Sequence, residues 1–130
     1  MNASNADELD AGLRGIQHKA GYALIVSSDA LFLGNKDRIG EAARKAKLPT
    51  LVPLKDYWGE GVLMSYGPSF QEIVRVVAVY VDRILKGAKP GDLPIQQGSK
   101  PELIIDTRIA RELGLKVPQE LLFRADEVIQ

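Results

Sequence analysis

The stretch Ala23–Phe32, "ALIVSSDALF", decides how the chain is read. An apolar run of the kind found in buried parallel strands ends abruptly in two hydroxyls and a carboxylate, Ser27, Ser28 and Asp29. In open α/β sheets ligands bind at the carboxyl ends of strands. A strand ending this way fits three roles. Asp29 could be a phosphoacceptor, a cap for the next element, or a clamp for an amine-bearing ligand.

Working outward, the pattern alternates between helix and strand. Before the stretch, Leu9, Leu13 and Ile16 recur at helical spacing, and Asn5 with Glu8 resembles a capping box. A helix from Ala6 to His18 is expected, with His18 as a solvated helix-end residue. "YALIVSS" follows as a strand, and "ALFLGN" reads as a loop. Ile39, Ala42, Ala43 and Ala46 mark a second amphipathic helix, stopped before Pro49. "TLVPL" and "VLMSYG" read as strands, separated by the glycine-containing turn "KDYWGEG". Tyr57 and Trp58 in that turn are either ligand-facing aromatics or core packing.

The next helix, Ser69–Lys86, is apolar over most of its circumference. Ser69 and Glu72 form a capping box after Pro68, and Gly87 ends the helix. Its many β-branched residues are weak helix formers, so it needs burial beyond one sheet face. "AKPGDLP" is a linker-like turn, and "ELIID" is a fourth strand. Asp106 or Thr107 caps a short helix ended by Gly114, and Pro118 opens a last helical turn. The whole is an α/β fold, a parallel-type sheet flanked by helices, in a single domain over residues 1–130.

Composition narrows the function. Of the 130 residues, 17 are basic and 17 acidic, so no net field favours nucleic acid. With no cysteine and one histidine, thiolate and His-rich metal sites are excluded. "GAKPGD" lacks the spacing of a phosphate loop, and there is no nucleophile elbow. Neither a cofactor nor a metal is expected, and no enzyme activity. A phosphoacceptor would need further carboxylates near Asp29, and Asp106 is the only other one that ends a strand. The N-terminal "MNASNADELD" is polar and carries no signal-peptide core. No apolar run reaches the ~20 residues that span a bilayer.

The segments "ALIVSSDALFLGNKDRIGEAARKAKLP", "GVLMSYGPSF", "YVDRILKGAKPGDLPIQQ" and "ELIIDTRIARELGLKVPQELLFRADEVI" follow one another. In that order they resemble the ABC-transporter substrate-binding proteins of the tryptophan/tyrosine-binding type. The resemblance covers Leu9 to Ile129 and matches only the C-terminal part of that family. It implies one lobe of a type I periplasmic-binding-protein fold, in which a small ligand sits between two lobes. Asp29, Ser28 and neighbouring Ser27 would face the cleft, and Ser65 and Tyr66 would lie near the hinge. The Ser69–Lys86 helix would belong to the other lobe, and "DLPIQQ" would cross back. The implied partners are a small organic ligand, such as an aromatic amino acid, and a membrane permease. The implied location is periplasmic or that of an extracellular lipoprotein. A helix so apolar also leads us to expect a homodimer through Ser69–Lys86. The chain could instead be a self-associating α/β interaction module or, less in keeping with its residues, a receiver-like phosphoacceptor domain.

Overall fold

The computed structural model describes residues 3–17, 19–96 and 100–130. The expected histidine at 18 lies outside them. Helix α1 spans Ala6–Arg14 and ends four residues earlier than its periodicity predicts, at Gly15. Its N-terminus is capped as expected. Asn5 Oδ1 accepts from the Glu8 amide at 2.9 Å, and Glu8 Oε2 accepts from the Ser4 amide at 2.8 Å.

Five strands form one sheet in the order β1 (Leu24–Ile25), β2 (Thr50–Val52), β3 (Met64–Gly67), β4 (Glu102–Asp106) and β5 (Glu127–Ile129). The pairs β1–β2, β2–β3 and β4–β5 are parallel, whereas β3–β4 is antiparallel. The sheet is therefore mostly parallel, with the direction reversing once. The expected four strands become five. "EVI" was missed because three residues carry too little alternation to register.

Successive side chains on a strand point to opposite faces. One face carries Val26, Thr50, Val52, Leu63, Ser65, Ile104 and Asp106, all buried. It packs beneath α1 and α3 (Lys36–Lys45) through a core of Leu9, Val26, Ile39, Val52, Tyr57 and Val62. The opposite face is more open. Ile25 is 73 % exposed and Tyr66 54 %. The expectation that "YALIVSS" is a fully buried strand therefore fails. β1 is a two-residue edge strand, with a neighbour on one side only and no cover over Ile25.

"ALFLGN" is also not a loop. Ala30–Gly34 forms a short helix, α2, with Asp29 as its N-cap. Leu31 and Phe32 hold it against the core. Helix α5 (Thr107–Glu112) is capped by Asp106, and α6 (Gln119–Arg124) follows Pro118, both as predicted.

Helix α4, Phe70–Leu85, stands apart. It is the longest helix, and none of its residues is buried. The expected capping box is not formed: Ser69 sits at the N-cap position in extended geometry, but its side chain makes no cap hydrogen bond. Beyond α4, Leu93–Gln96 are not in a strand. They run beside the helix, where Tyr80 donates its hydroxyl hydrogen to Pro94 O and accepts from the Gln96 amide at 3.2 Å. The rest of the expected "DLPIQQ" crossing, Gln97, lies outside the described residues.

Candidate functional site

β1, β2 and β3 run in the same direction, so their carboxyl ends meet at one edge of the sheet. That edge carries Ser27–Asp29, Pro53–Leu54 and Gly67–Ser69. Because β4 and β5 run the other way, their amino ends bring Glu102, Asp126 and Glu127 to the same edge. Asp106 ends β4 at the opposite edge. It does not lie beside Asp29, and among the described residues no three acidic, histidine or cysteine side chains cluster where they could hold a metal ion.

The Ser27–Asp29 turn is built by two contacts. Asp29 is extended (φ −154°, ψ 142°), and its Oδ1 accepts from the Leu31 amide at 2.8 Å, starting α2. Its backbone is held by Tyr57, whose hydroxyl accepts from Asp29 N at 2.9 Å and donates to Asp29 O at 3.0 Å. Ser28 Oγ lies 3.4 Å from the same hydroxyl. Tyr57 is 5 % exposed and rooted in the core, so its ring acts as a post under the turn. The ring buries while the hydroxyl finds polar partners, the usual arrangement for a buried tyrosine. Asp29 therefore does serve as a cap. Capping uses one carboxylate oxygen, and Oδ2 has no hydrogen-bond partner among the described residues. Ser27, Ser28 and Asp29 are all exposed.

Ser65 and Tyr66 are neighbours on β3 and so point to opposite faces. Ser65 lies on the covered face, 2 % exposed, in register with Val52 and Ile104. Tyr66 points to the open face, which Ile25 and Ser27 share by alternation. Continuing the register of β1, β2 and β3 brings Ser27 level with Tyr66, one strand apart on either side of Pro53. Two strand spacings separate them by about 10 Å, the span of a small organic molecule. Of the five residues expected at the site, four reach one exposed edge, and Ser65 sits beneath it.

Backbone packing fixes this edge. A Cβ on Gly67 would lie 1.8 Å from Pro53 O, so the ends of β2 and β3 can approach only where residue 67 has no side chain. Beside it, a cleft of about 410 Å³ is lined by Lys55, Ser69, Phe70, Glu102, Asp126 and Glu127, among others. Lys55 Nζ meets Glu127 Oε2 at 2.5 Å. The Leu103 amide donates to Asp126 at 2.9 Å and, ahead of the opposing effect of burial and the help of Lys100, holds that carboxyl below its usual range.

Of the two readings of Tyr57, core packing is the one the structure shows. Sequence reasoning missed two contributions here. The hold of Tyr57 on the turn spans 28 residues to Asp29 and leaves no local pattern. The acidic end of β5 went unseen together with the strand. The Trp58 half of the same aromatic pair is partly buried against the core rather than displayed.

The sequence model of the family described as "ABC transporter substrate binding protein" matches residues 1–129. The chain belongs to this family. Members are binding proteins, typically periplasmic or extracellular. No helix among the described residues is long and apolar enough to cross a membrane. A conserved domain protein from Vibrio cholerae is similar in structure, with TM-score 0.72 and 28 % identity over 82 % of this chain and 35 % of that one. An ABC domain from Streptococcus pneumonia, in complex with L-Trp, matches with TM-score 0.75 and 22 % identity over 95 % of this chain and 41 % of its own. A ligand-free, open substrate binding protein with adhesive properties from Clostridium difficile matches with TM-score 0.63 and 18 % identity, over 100 % and 43 % respectively. The chain thus spans 35 to 43 % of the length of these structures. Among curated proteins, no sequence matches.

Proposed function

We propose that residues 1–130 form a single α/β domain, the C-terminal portion of the solute-binding component of an ABC import system, and that this component has no enzymatic activity. Its carboxyl sheet edge is one wall of a cleft closed by a second lobe, as hinge-closing binding proteins require. The ligand is a small organic solute bearing an amine, such as an aromatic amino acid, delivered to a membrane permease from the periplasmic or extracellular side. Asp29 Oδ2 takes the ammonium group, Ser27 and Ser28 offer hydroxyls, and the exposed Tyr66 ring stacks on the solute about 10 Å away. Ser65 supports the site from below.

The family match over residues 1–129 carries this reading, and the open, aligned strand ends support it. The L-Trp bound to a structural relative supports an aromatic amino acid as the first ligand to try.

The test is calorimetry on the two-lobed protein with L-tryptophan and L-tyrosine, comparing the native residue with Asp29→Asn. Asparagine caps a helix as well as aspartate does, so stability should hold within about 0.5 kcal/mol. Loss of the charged hydrogen bond should weaken binding by about 1–3 kcal/mol. Unchanged affinity would leave Asp29 with its capping role alone. An absence of binding heat across the proteinogenic amino acids would remove the ligand assignment.

A further inference from the structure

We infer that Asn35 is a positioning residue for Asp29: it anchors Leu31, the residue whose amide Asp29 caps, and so fixes the direction of the carboxylate. Its effect on a ligand rests on the binding role proposed above for Asp29, whereas its hold on Leu31 does not.

Asn35 is shared by two helices. It ends α2 and occupies the N-cap position of α3. An asparagine there ordinarily accepts from an amide of the helix it starts. Here it makes no such bond. Its side chain turns back instead, and Nδ2 donates to Leu31 O at 2.8 Å. Leu31 is thereby held at both peptide groups, its amide by Asp29 Oδ1 at 2.8 Å and its carbonyl by Asn35. The Leu33 amide, which donates to Asp29 O at 3.0 Å, closes the same turn. A helix of five residues is marginal in water on its own. Its direction is therefore set by these end contacts and by Leu31 and Phe32 against the core. A cap is only as well fixed as the helix it caps, so Asn35 governs Asp29 from the far end of α2.

The position needs an amide. Leu31 O can only accept, and Arg38 Nη1, 3.0 Å from Asn35 Oδ1, can only donate. A carboxylate would set an oxygen against Leu31 O, whereas an amide serves both partners. Arg38 is itself tied to Asp10 on α1, the helix that carries the core residue Leu9. One residue on, Lys36 Nζ donates to Asp56 O at 3.1 Å, next to Tyr57. A Cβ on Gly59 would lie 3.1 Å from Lys36 O, so the two segments are closely packed. The start of α3 thus meets both supports of Asp29, α2 and the Tyr57 segment. Every partner in this set lies within the described residues, so the assignment needs nothing from a second lobe.

Asn35→Asp tests the assignment, since an aspartate can turn to cap α3 but cannot donate to Leu31 O. Amide exchange on the 130-residue chain should show protection at Leu31 and Leu33 falling about fivefold, the equivalent of one neutral hydrogen bond. The β2 amides should stay within about twofold of the original. A loss spread evenly over α2, α3 and β2 would mark a general destabilisation and overturn the positioning role. So would unaltered exchange at Leu31 and Leu33 in Asn35→Asp or, should that variant not fold, in Arg38→Gln, which removes the donor that orients the amide. In the two-lobed protein, calorimetry with L-tryptophan should show Asn35→Asp binding about fivefold more weakly. Because Asn35 acts through Asp29, Asp29→Asn/Asn35→Asp should bind no more weakly than Asp29→Asn alone. Additive losses, or an affinity that Asp29→Asn lowers and Asn35→Asp does not, would also overturn the positioning role. Absent binding heat, or an affinity that neither variant alters, faults the binding role of Asp29 instead, and exchange at Leu31 and Leu33 then decides the hold of Asn35 by itself.

Discussion

Replacing Tyr57 by phenylalanine removes one oxygen from the interior and tests how the candidate site is held. The ring stays in the core, so no cavity opens. What is lost is a hydroxyl that accepts from Asp29 N at 2.9 Å and donates to Asp29 O at 3.0 Å. A hydrogen bond of this kind contributes about 1 kcal/mol net. Two such bonds set an upper figure of about 2 kcal/mol. The turn is exposed, so water can satisfy part of what the hydroxyl leaves, and the expected cost falls to about 1–1.5 kcal/mol. For a chain of this length that lowers the melting temperature by about 5 °C. Urea unfolding with an unchanged m-value measures the global loss. Amide exchange at Asp29 measures the local one, and its protection should fall more than that of the β2 amides. A loss below about 0.3 kcal/mol with Asp29 exchange unaltered would show that Tyr57 does not hold the turn. The same substitution should weaken ligand binding in the two-lobed protein, since Asp29 would no longer be fixed while its carboxylate remains.

Three further outcomes follow from the packing and the charges. Burial pushes the Asp106 carboxyl up, but the Arg108 guanidinium and the amides of Arg108 and Ile109 outweigh it and hold the group below its ordinary range. A depressed native value means stability that is present above the unfolded value near 3.9 and lost as pH falls through the native one. Urea midpoints should therefore fall below about pH 4 in the native chain and fall less steeply in Asp106→Asn, and parallel curves would refute the linkage. Gly67→Ala places a methyl group 1.8 Å from Pro53 O, so the ends of β2 and β3 must part, at a cost of about 3 kcal/mol in a thermal or urea melt. Ser69→Ala should change stability by less than about 0.5 kcal/mol, because no cap bond exists to lose. A loss near 1 kcal/mol, typical of a cap, would show that the Ser69–Glu72 box forms after all.

What the sequence determined by itself is the part governed by neighbours in the chain. The caps at Asn5 and Asp106, the stripe of Ile39 and Ala43 on α3, and the strand "ELIID" each depend on residues within one or two turns, and periodicity registers them. The apolar circumference of α4 was equally legible, since it follows from spacing alone. Tertiary structure decided the rest, because the forces involved act between residues distant in sequence. Whether "ALIV" is buried depends on its place in the sheet, and an edge position leaves Ile25 in water. Whether "ALFLG" coils into a helix depends on Asp29 being held extended by Tyr57 and on a core that receives Leu31 and Phe32. The Ser69 cap failed because an N-cap sequence supplies the acceptor without dictating the geometry that uses it. At the candidate site, residue types at strand ends pointed to Ser27, Ser28, Asp29, Ser65 and Tyr66. The pleat then separated Ser65 from Tyr66, and the reversal between β3 and β4 carried Asp106 to the far edge. Strand direction and face are set by pairing across the sheet, and no local pattern encodes a partner that lies dozens of residues away.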